Sequence, residues 1–232
     1  MTAAPTPLSA LHEVFLGNDL FVSARNPEHF ETYEKSQHPS VTMLTCCDSR
    51  MHQLVFNFDP IDRTFVVQNI GNQLQSGAGS VDYGVRHLKT PLLLIVGHTR
   101  CGAIAAARTD YRNESWEIVR ELNGLHLPLK GVGTSGDTEA DWLASAEANV
   151  DFQAEMAAAR YAPEIAAGNL VVAGCIYDFV NLYGRGRGRL ILMNLNGERN
   201  SSTLAASPLL ETLDATVRTT IVGTRGIAPS RQ

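Results

Sequence analysis

Two short segments carry the residue types that bind a metal and handle a proton. Cys46-Cys47-Asp48-Ser49-Arg50 offers thiols, a carboxylate and a guanidinium, and His98-Thr99-Arg100-Cys101-Gly102 offers an imidazole and a thiol three residues apart. If the first segment stays extended, Cys46, Asp48 and Arg50 share one side, and Cys47 turns to the other, into the core. In the second, His98 and Cys101 reach one ion where a strand passes into a helix. Two cysteines and one histidine make a catalytic zinc set with a fourth position open. Asp48 is the candidate for that position in a closed state. Alternatively it pairs bidentately with Arg50 and leaves the position to water. Taken singly, either segment reads as ordinary core, since buried cysteines and satisfied histidines are common. Taken together, each directly behind a strand, they point to Zn2+ held by Cys46, His98 and Cys101. Cys175 reads as packing. Among the other histidines, His52 alone stands near the first segment and is placed to aid proton transfer.

The elements that must position these residues are legible in the hydropathy pattern. Runs rich in Val, Ile and Leu mark five strands, at Val41–Thr45, Thr64–Gln68, Leu92–Val96, Leu170–Ile176 and Arg189–Asn194. Their near-continuous apolarity is what a sheet covered on both faces requires. Helical patterns lie between them: Ser80–Leu88 as a capped helix, Glu139–Arg160 as a long one, and Pro208–Arg218 with Ser207 as its cap. Asn123–Asp137 reads as a loop, and Gly184–Arg189 as a glycine-rich turn between two strands. The alternation predicts an α/β fold with a mostly parallel central β-sheet flanked by helices. Residues 1–40 hold helical patterns and no strand, and read as an N-terminal helical arm ahead of a zinc-binding catalytic domain at 41–232.

Composition narrows the function classes. With 232 residues, of which 44% are hydrophobic and 19% charged, the chain has the apolar share of a globular protein. Its net charge of -5 opposes nucleic acid as a partner, because phosphate recognition needs a basic face. No apolar run approaches the ~20 residues of a membrane span. The first basic residue is Arg25, so no basic signal region precedes the first apolar stretch. Four cysteines are too few for a disulfide scaffold. Together these predict a cytoplasmic protein with a small-molecule substrate, no nucleic acid and no membrane.

The paired segments resemble the zinc motifs of the β-class carbonic anhydrases, C-x-D-x-R followed about fifty residues later by H-x-x-C-G. The resemblance runs from about Gln37 to Asp178, through Val67-Gln-Asn-Ile-Gly-Asn72, Ser80-Val-Asp-Tyr-Gly-Val85 and Gly174-Cys-Ile-Tyr-Asp178. It extends to the plant-type subgroup at Gln37, Phe65, Ile70 and Tyr83, which it implies are substrate-binding. The resemblance further implies zinc-dependent reversible hydration of CO2 to bicarbonate, with Asp48 and Arg50 as catalytic residues. Asp48 orients the nucleophile, and Arg50 holds Asp48 off the metal. It implies a homodimer or dimer of dimers, in which the N-terminal helices embrace the partner and Gln37 or Tyr83 is supplied across the interface. Two departures stand out. Gln68 replaces an arginine of the family pattern, and Arg100 stands where a small or acidic residue is usual, so it is expected to narrow or recharge the site mouth. The alternatives are a carbonyl sulfide or carbon disulfide hydrolase on the same scaffold, and a non-catalytic zinc or redox-sensing protein whose metal Asp48 closes.

Overall fold

The computed structural model describes residues 4–224, and its contacts divide the chain between Gln37 and His38. In the first unit, α1 (Pro7–Ser23) starts at a reciprocal cap: Thr6 Oγ1 accepts from the Ser9 amide at 3.2 Å, and Ser9 Oγ accepts from the Thr6 amide at 2.9 Å. Pro7 occupies the first helical position, where its missing N–H costs nothing. Asn26 caps α2 (Pro27–Glu31) one way, its Oδ1 accepting from the His29 amide at 3.2 Å. No residue of either helix is buried, and Leu8, Leu11, Val14, Phe15 and Leu20 stand exposed.

The second unit holds a five-stranded sheet with strand order β2-β1-β3-β4-β5. Its strands are β1 (Val41–Cys46), β2 (Thr64–Asn69), β3 (Leu92–His98), β4 (Val171–Asp178) and β5 (Arg189–Leu195). The first four run parallel and β5 is antiparallel. Each of the five predicted strands is present, extended by one or two residues at its C-terminal end. Alternate side chains serve the two faces. Leu44, Leu93, Ile95 and Val172 pack with Ala154, Ala157 and Tyr161 on one side. Met43, Leu94, Val96, Ala173 and Cys175 pack with Leu204, Leu210 and Val222 on the other.

The helices of this unit are α3 (Ala78–Asp82), α4 (Gly102–Ala107), α5 (Trp116–Asn123), α6 (His126–Leu129), α7 (Thr138–Arg160), α8 (Ala162–Ala166), α9 (Ser201–Ala205) and α10 (Ala215–Ile221). The longest, α7, begins at Asp137, whose carboxylate accepts from the amides of Glu139 and Ala140, and it packs along β3, β4 and β5.

Three local expectations are corrected. The helix read at Ser80–Leu88 is α3 followed by a wide turn over Tyr83–His87, in which the Leu88 amide reaches back to the Tyr83 carbonyl; no side chain caps it. The segment Pro208–Arg218 is two pieces. Ser207 caps a short turn at Pro208–Leu210, and then Asp214 takes the Thr216 amide at 2.7 Å and starts α10 afresh. The segment Asn123–Asp137 contains the helical turn α6, anchored because Leu125 and Pro128 are buried. The turn before β5 is glycine-rich as expected, with positive φ at Gly184, Gly186 and Gly188.

Two predictions arise here. The wide turn brings Gly84 onto β1, where an added Cβ would collide with Thr42 Oγ1 and press on Phe65 Cδ1 at 3.0 Å. Gly84→Ala is therefore expected to destabilise the protein by ~1–3 kcal/mol, read as a lower midpoint in urea. The second concerns acid. Asp82 accepts from Arg160 Nε at 3.0 Å and from the Tyr161 hydroxyl at 2.9 Å, and the Arg160 guanidinium first, then Tyr161, holds its carboxyl below the usual 3.8. A carboxyl lowered by folding adds stability that is present above its unfolded pKa and is lost as pH falls through the folded one. Asp82→Asn should lower the melting temperature at pH 6 and narrow its gap to wild type as pH drops below about 4. A constant gap across that range would remove Asp82 from the acid response.

Candidate metal centre

In an open α/β sheet, ligands collect beyond the carboxyl ends of the strands, where the chain's direction of winding across the sheet reverses. Here that point lies between β1 and β3, since β2 sits on one side of β1 and β3 to β5 on the other. Cys46 is the last residue of β1 and His98 the last of β3. Cys101 follows as the residue capping α4.

The donor atoms of Cys46, His98 and Cys101 lie within 4.8 Å of one another, and all three residues are buried. Their sulfurs are 3.9 Å apart. His98 Nδ1 sits 3.0 Å from the Thr99 carbonyl, which makes Nδ1 the protonated nitrogen and leaves Nε2 with a free lone pair. That Nε2 is buried without a hydrogen-bond partner. A buried acceptor with no partner is costly unless something else satisfies it, and a divalent ion between the two thiols does so. The donor set therefore fits zinc. Its thiols are already polarised: Cys101 first, then His98 and the backbone amides of Gly71 and Asp48, draws Cys46 down to about 4, while Cys101 is driven up by its hydrogen bond to Cys46 and by burial.

The side chains beside the triad come together by turns rather than by strand alternation. The chain leaves β1 at Cys46 and folds back, the Met51 amide bonding to the Asp48 carbonyl at 2.8 Å. Asp48 Oδ1 accepts from the Arg50 amide at 3.0 Å and from Arg50 Nε at 2.8 Å, and Oδ2 accepts from Nη2 at 2.6 Å. That fork, chiefly, lowers the Asp48 carboxyl to about 2, so it is ionised throughout the neutral range. Of the two roles open to Asp48, the structure shows the pairing with Arg50. Its Oδ2 remains 3.8 Å from His98 Nε2, at the edge of the triad. Arg50 is held in turn by the Arg100 carbonyl at 3.2 Å and by the Phe179 ring, 4.7 Å below its guanidinium.

Other expectations are redrawn. Cys47 is exposed, not in the core, because β1 ends one residue before it and alternation no longer applies. His98 and Cys101 are not brought together by a helical turn; Arg100, at φ 55, reverses the chain between them. The Arg100 guanidinium is paired with the Glu139 carboxylate at 2.8–3.2 Å, which offsets its charge. His52 uses Nδ1 to take the Leu54 amide and so caps a local turn. Cys175 is fully buried packing, its thiol raised to about 12.

The four residues read as a substrate wall separate. Ile70 packs in the cluster that contains Cys46 and Cys101. Phe65 pairs in register with Thr42, four residues before Cys46, which at the rise of a strand is ~13 Å from the triad end of the sheet. Tyr83 stacks on Phe65 at 5.8 Å and on His87 at 4.5 Å, and is 45% exposed. The wall formed by Phe65 and Tyr83 is thus not beside its own chain's triad. Gln37 belongs to the first unit.

Residues 41–184, more than half of the chain and including both segments of the triad, match the family model described as carbonic anhydrase. The chain belongs to the β-class carbonic anhydrase family. Carbonic anhydrase 2 of Mycobacterium tuberculosis is 31% identical over 108 residues, which is 44% of this chain and 52% of that protein, so the chain spans about half the length of this relative. The carbonic anhydrase of Mycolicibacterium smegmatis is 26% identical over 186 residues, 75% of this chain and 90% of that one. In fold, a tetrameric β-carbonic anhydrase of Sordaria macrospora superposes with a TM-score of 0.67 at 22% identity, covering 79% of this chain and 96% of its own. Among the described residues, no helix is long and apolar enough to cross a membrane.

Proposed function

We propose that this β-class carbonic anhydrase interconverts CO2 and bicarbonate with zinc held by Cys46, His98 and Cys101. The observation that carries the reading is the buried triad whose imidazole Nε2 has no partner. Zinc held there would supply a nucleophile near neutrality, since a coordinated water has its pKa lowered from 15.7 toward ~7.

The rest is the work of the chain. The Thr99 carbonyl orients the His98 ring through Nδ1–H. Arg50 neutralises Asp48 and holds its carboxylate at the rim, where Oδ2 accepts a proton-bearing hydrogen bond from the attacking water and so aims its lone pair at the carbon. Ile70 supplies apolar surface beside the cysteines. Phe65 and Tyr83, far from their own triad, serve the triad of a second copy, and Gln37 adds an amide donor to the bound gas. The exposed apolar face of α1 supports the same assembly, a homodimer or a dimer of dimers. The net reaction takes CO2 and water to bicarbonate and one proton, which leaves to buffer. The free thiols agree with work in the cytoplasm.

Stopped-flow hydration of CO2 by the zinc-loaded protein, compared with sulfide release from carbonyl sulfide and carbon disulfide, tests the substrate. Hydration should dominate, vanish when a chelator strips the metal, and return with added zinc. Zinc binding without hydration at any pH would leave only the sensor reading standing.

A further inference from the structure

The loop that carries two of the three triad residues is gripped from outside by the first turn of α7. Arg100 lies between His98 and Cys101 in the left-handed region, a conformation that a long side chain adopts only when its surroundings impose it. Two contacts from α7 do so. The Glu139 carboxylate binds the Arg100 guanidinium through Nε at 3.0 Å and Nη2 at 2.8 Å. The Trp142 indole N–H donates to the Cys101 carbonyl at 2.8 Å, an oxygen that also takes the Ala105 amide at 3.1 Å. Both lone pairs of that carbonyl are thereby used.

Glu139 and Trp142 are three residues apart, so they share one face of the helix. That turn is itself fixed. The Asp137 cap sets its start, and Ala146, Val150 and Ala154, further along the helix, are buried in the core. The grip also reaches the other segment of the site. The Arg100 carbonyl accepts from Arg50 Nη2, and Arg50 in turn holds Asp48.

We propose that Glu139 and Trp142 are positioning residues. They fix the Cys101 sulfur directly through its own backbone and, by way of the Arg100 carbonyl, the Asp48–Arg50 pair. Neither touches metal or substrate. The proposal rests on the zinc reading above and adds to it a reason for an arginine at position 100: its guanidinium is the handle by which α7 holds the loop.

The test uses the zinc-loaded 232-residue protein and its cobalt-substituted form. Trp142→Phe keeps the ring and deletes the donor; Arg100→Gly keeps the left-handed backbone and deletes the handle; Glu139→Gln removes the charge. Zinc transfer to an excess of chromogenic chelator should become ~10-fold faster in each. The cobalt absorption bands should shift in each. Arg100→Gly combined with Glu139→Gln should release zinc no faster than Arg100→Gly alone, because both break one pair. Wild-type release rates and bands in Trp142→Phe and Arg100→Gly overturn the proposal, as does a lowered melting temperature with unchanged bands, which marks a merely structural contact. If wild type binds zinc and cobalt but does not hydrate CO2, the proposed reaction falls and the grip stands. If it binds neither metal, both fall.

Discussion

Serine at Cys46 or Cys101, or alanine at His98, is expected to leave a folded protein that retains no zinc after dialysis against a chelator and hydrates CO2 at the background rate. The three donors come from two strand ends and the start of α4, and they meet within 4.8 Å. Removing one leaves two protein ligands, short of the three that a catalytic zinc site keeps. The fold does not depend on the lost group. Cys46 closes β1 and Cys101 starts α4, in a small cluster of their own, while the main cores lie along the two faces of the sheet. Circular dichroism of each variant should therefore match wild type. Retained metal in any one of them would mean that the triad is not the ligand set. Cys47→Ser is the control, since its exposed thiol lies outside the cluster.

Asp48→Asn separates holding the metal from using it. The variant should bind zinc like wild type and lose ~100-fold in turnover. Asparagine keeps the shape but gives up the charge that makes the fork with Arg50 strong, and its amide is a weaker acceptor for the water proton. Because Arg50 keeps the carboxyl near 2, the pH–rate profile of wild type between pH 6 and 9 should carry no inflection from Asp48. A fully active Asp48→Asn would end the orienting role assigned to this residue.

Much of the fold is legible in the sequence. Five apolar runs become five strands because a sheet covered on both faces demands continuous apolarity, a demand local enough to read directly. The helix boundaries that fail do so for short-range reasons of another kind. Asp214 captures a nearby amide and restarts a helix, and the Leu88 amide reaches back five residues to the Tyr83 carbonyl instead of four.

The chemistry divides along the same line. Residue types and spacing alone single out Cys46, His98 and Cys101 as the candidate metal-binding trio, since two thiols and an imidazole placed jointly behind two strands make a zinc donor set. The choice of Asp48 between metal and Arg50, the left-handed Arg100, the exposure of Cys47 and the hold of Trp142 on the loop were decided only by tertiary structure. So was the distance between Phe65 and the triad of its own chain. Each of these depends on where one segment lies against another far along the chain, and hydropathy and spacing record neighbours in sequence, not neighbours in space.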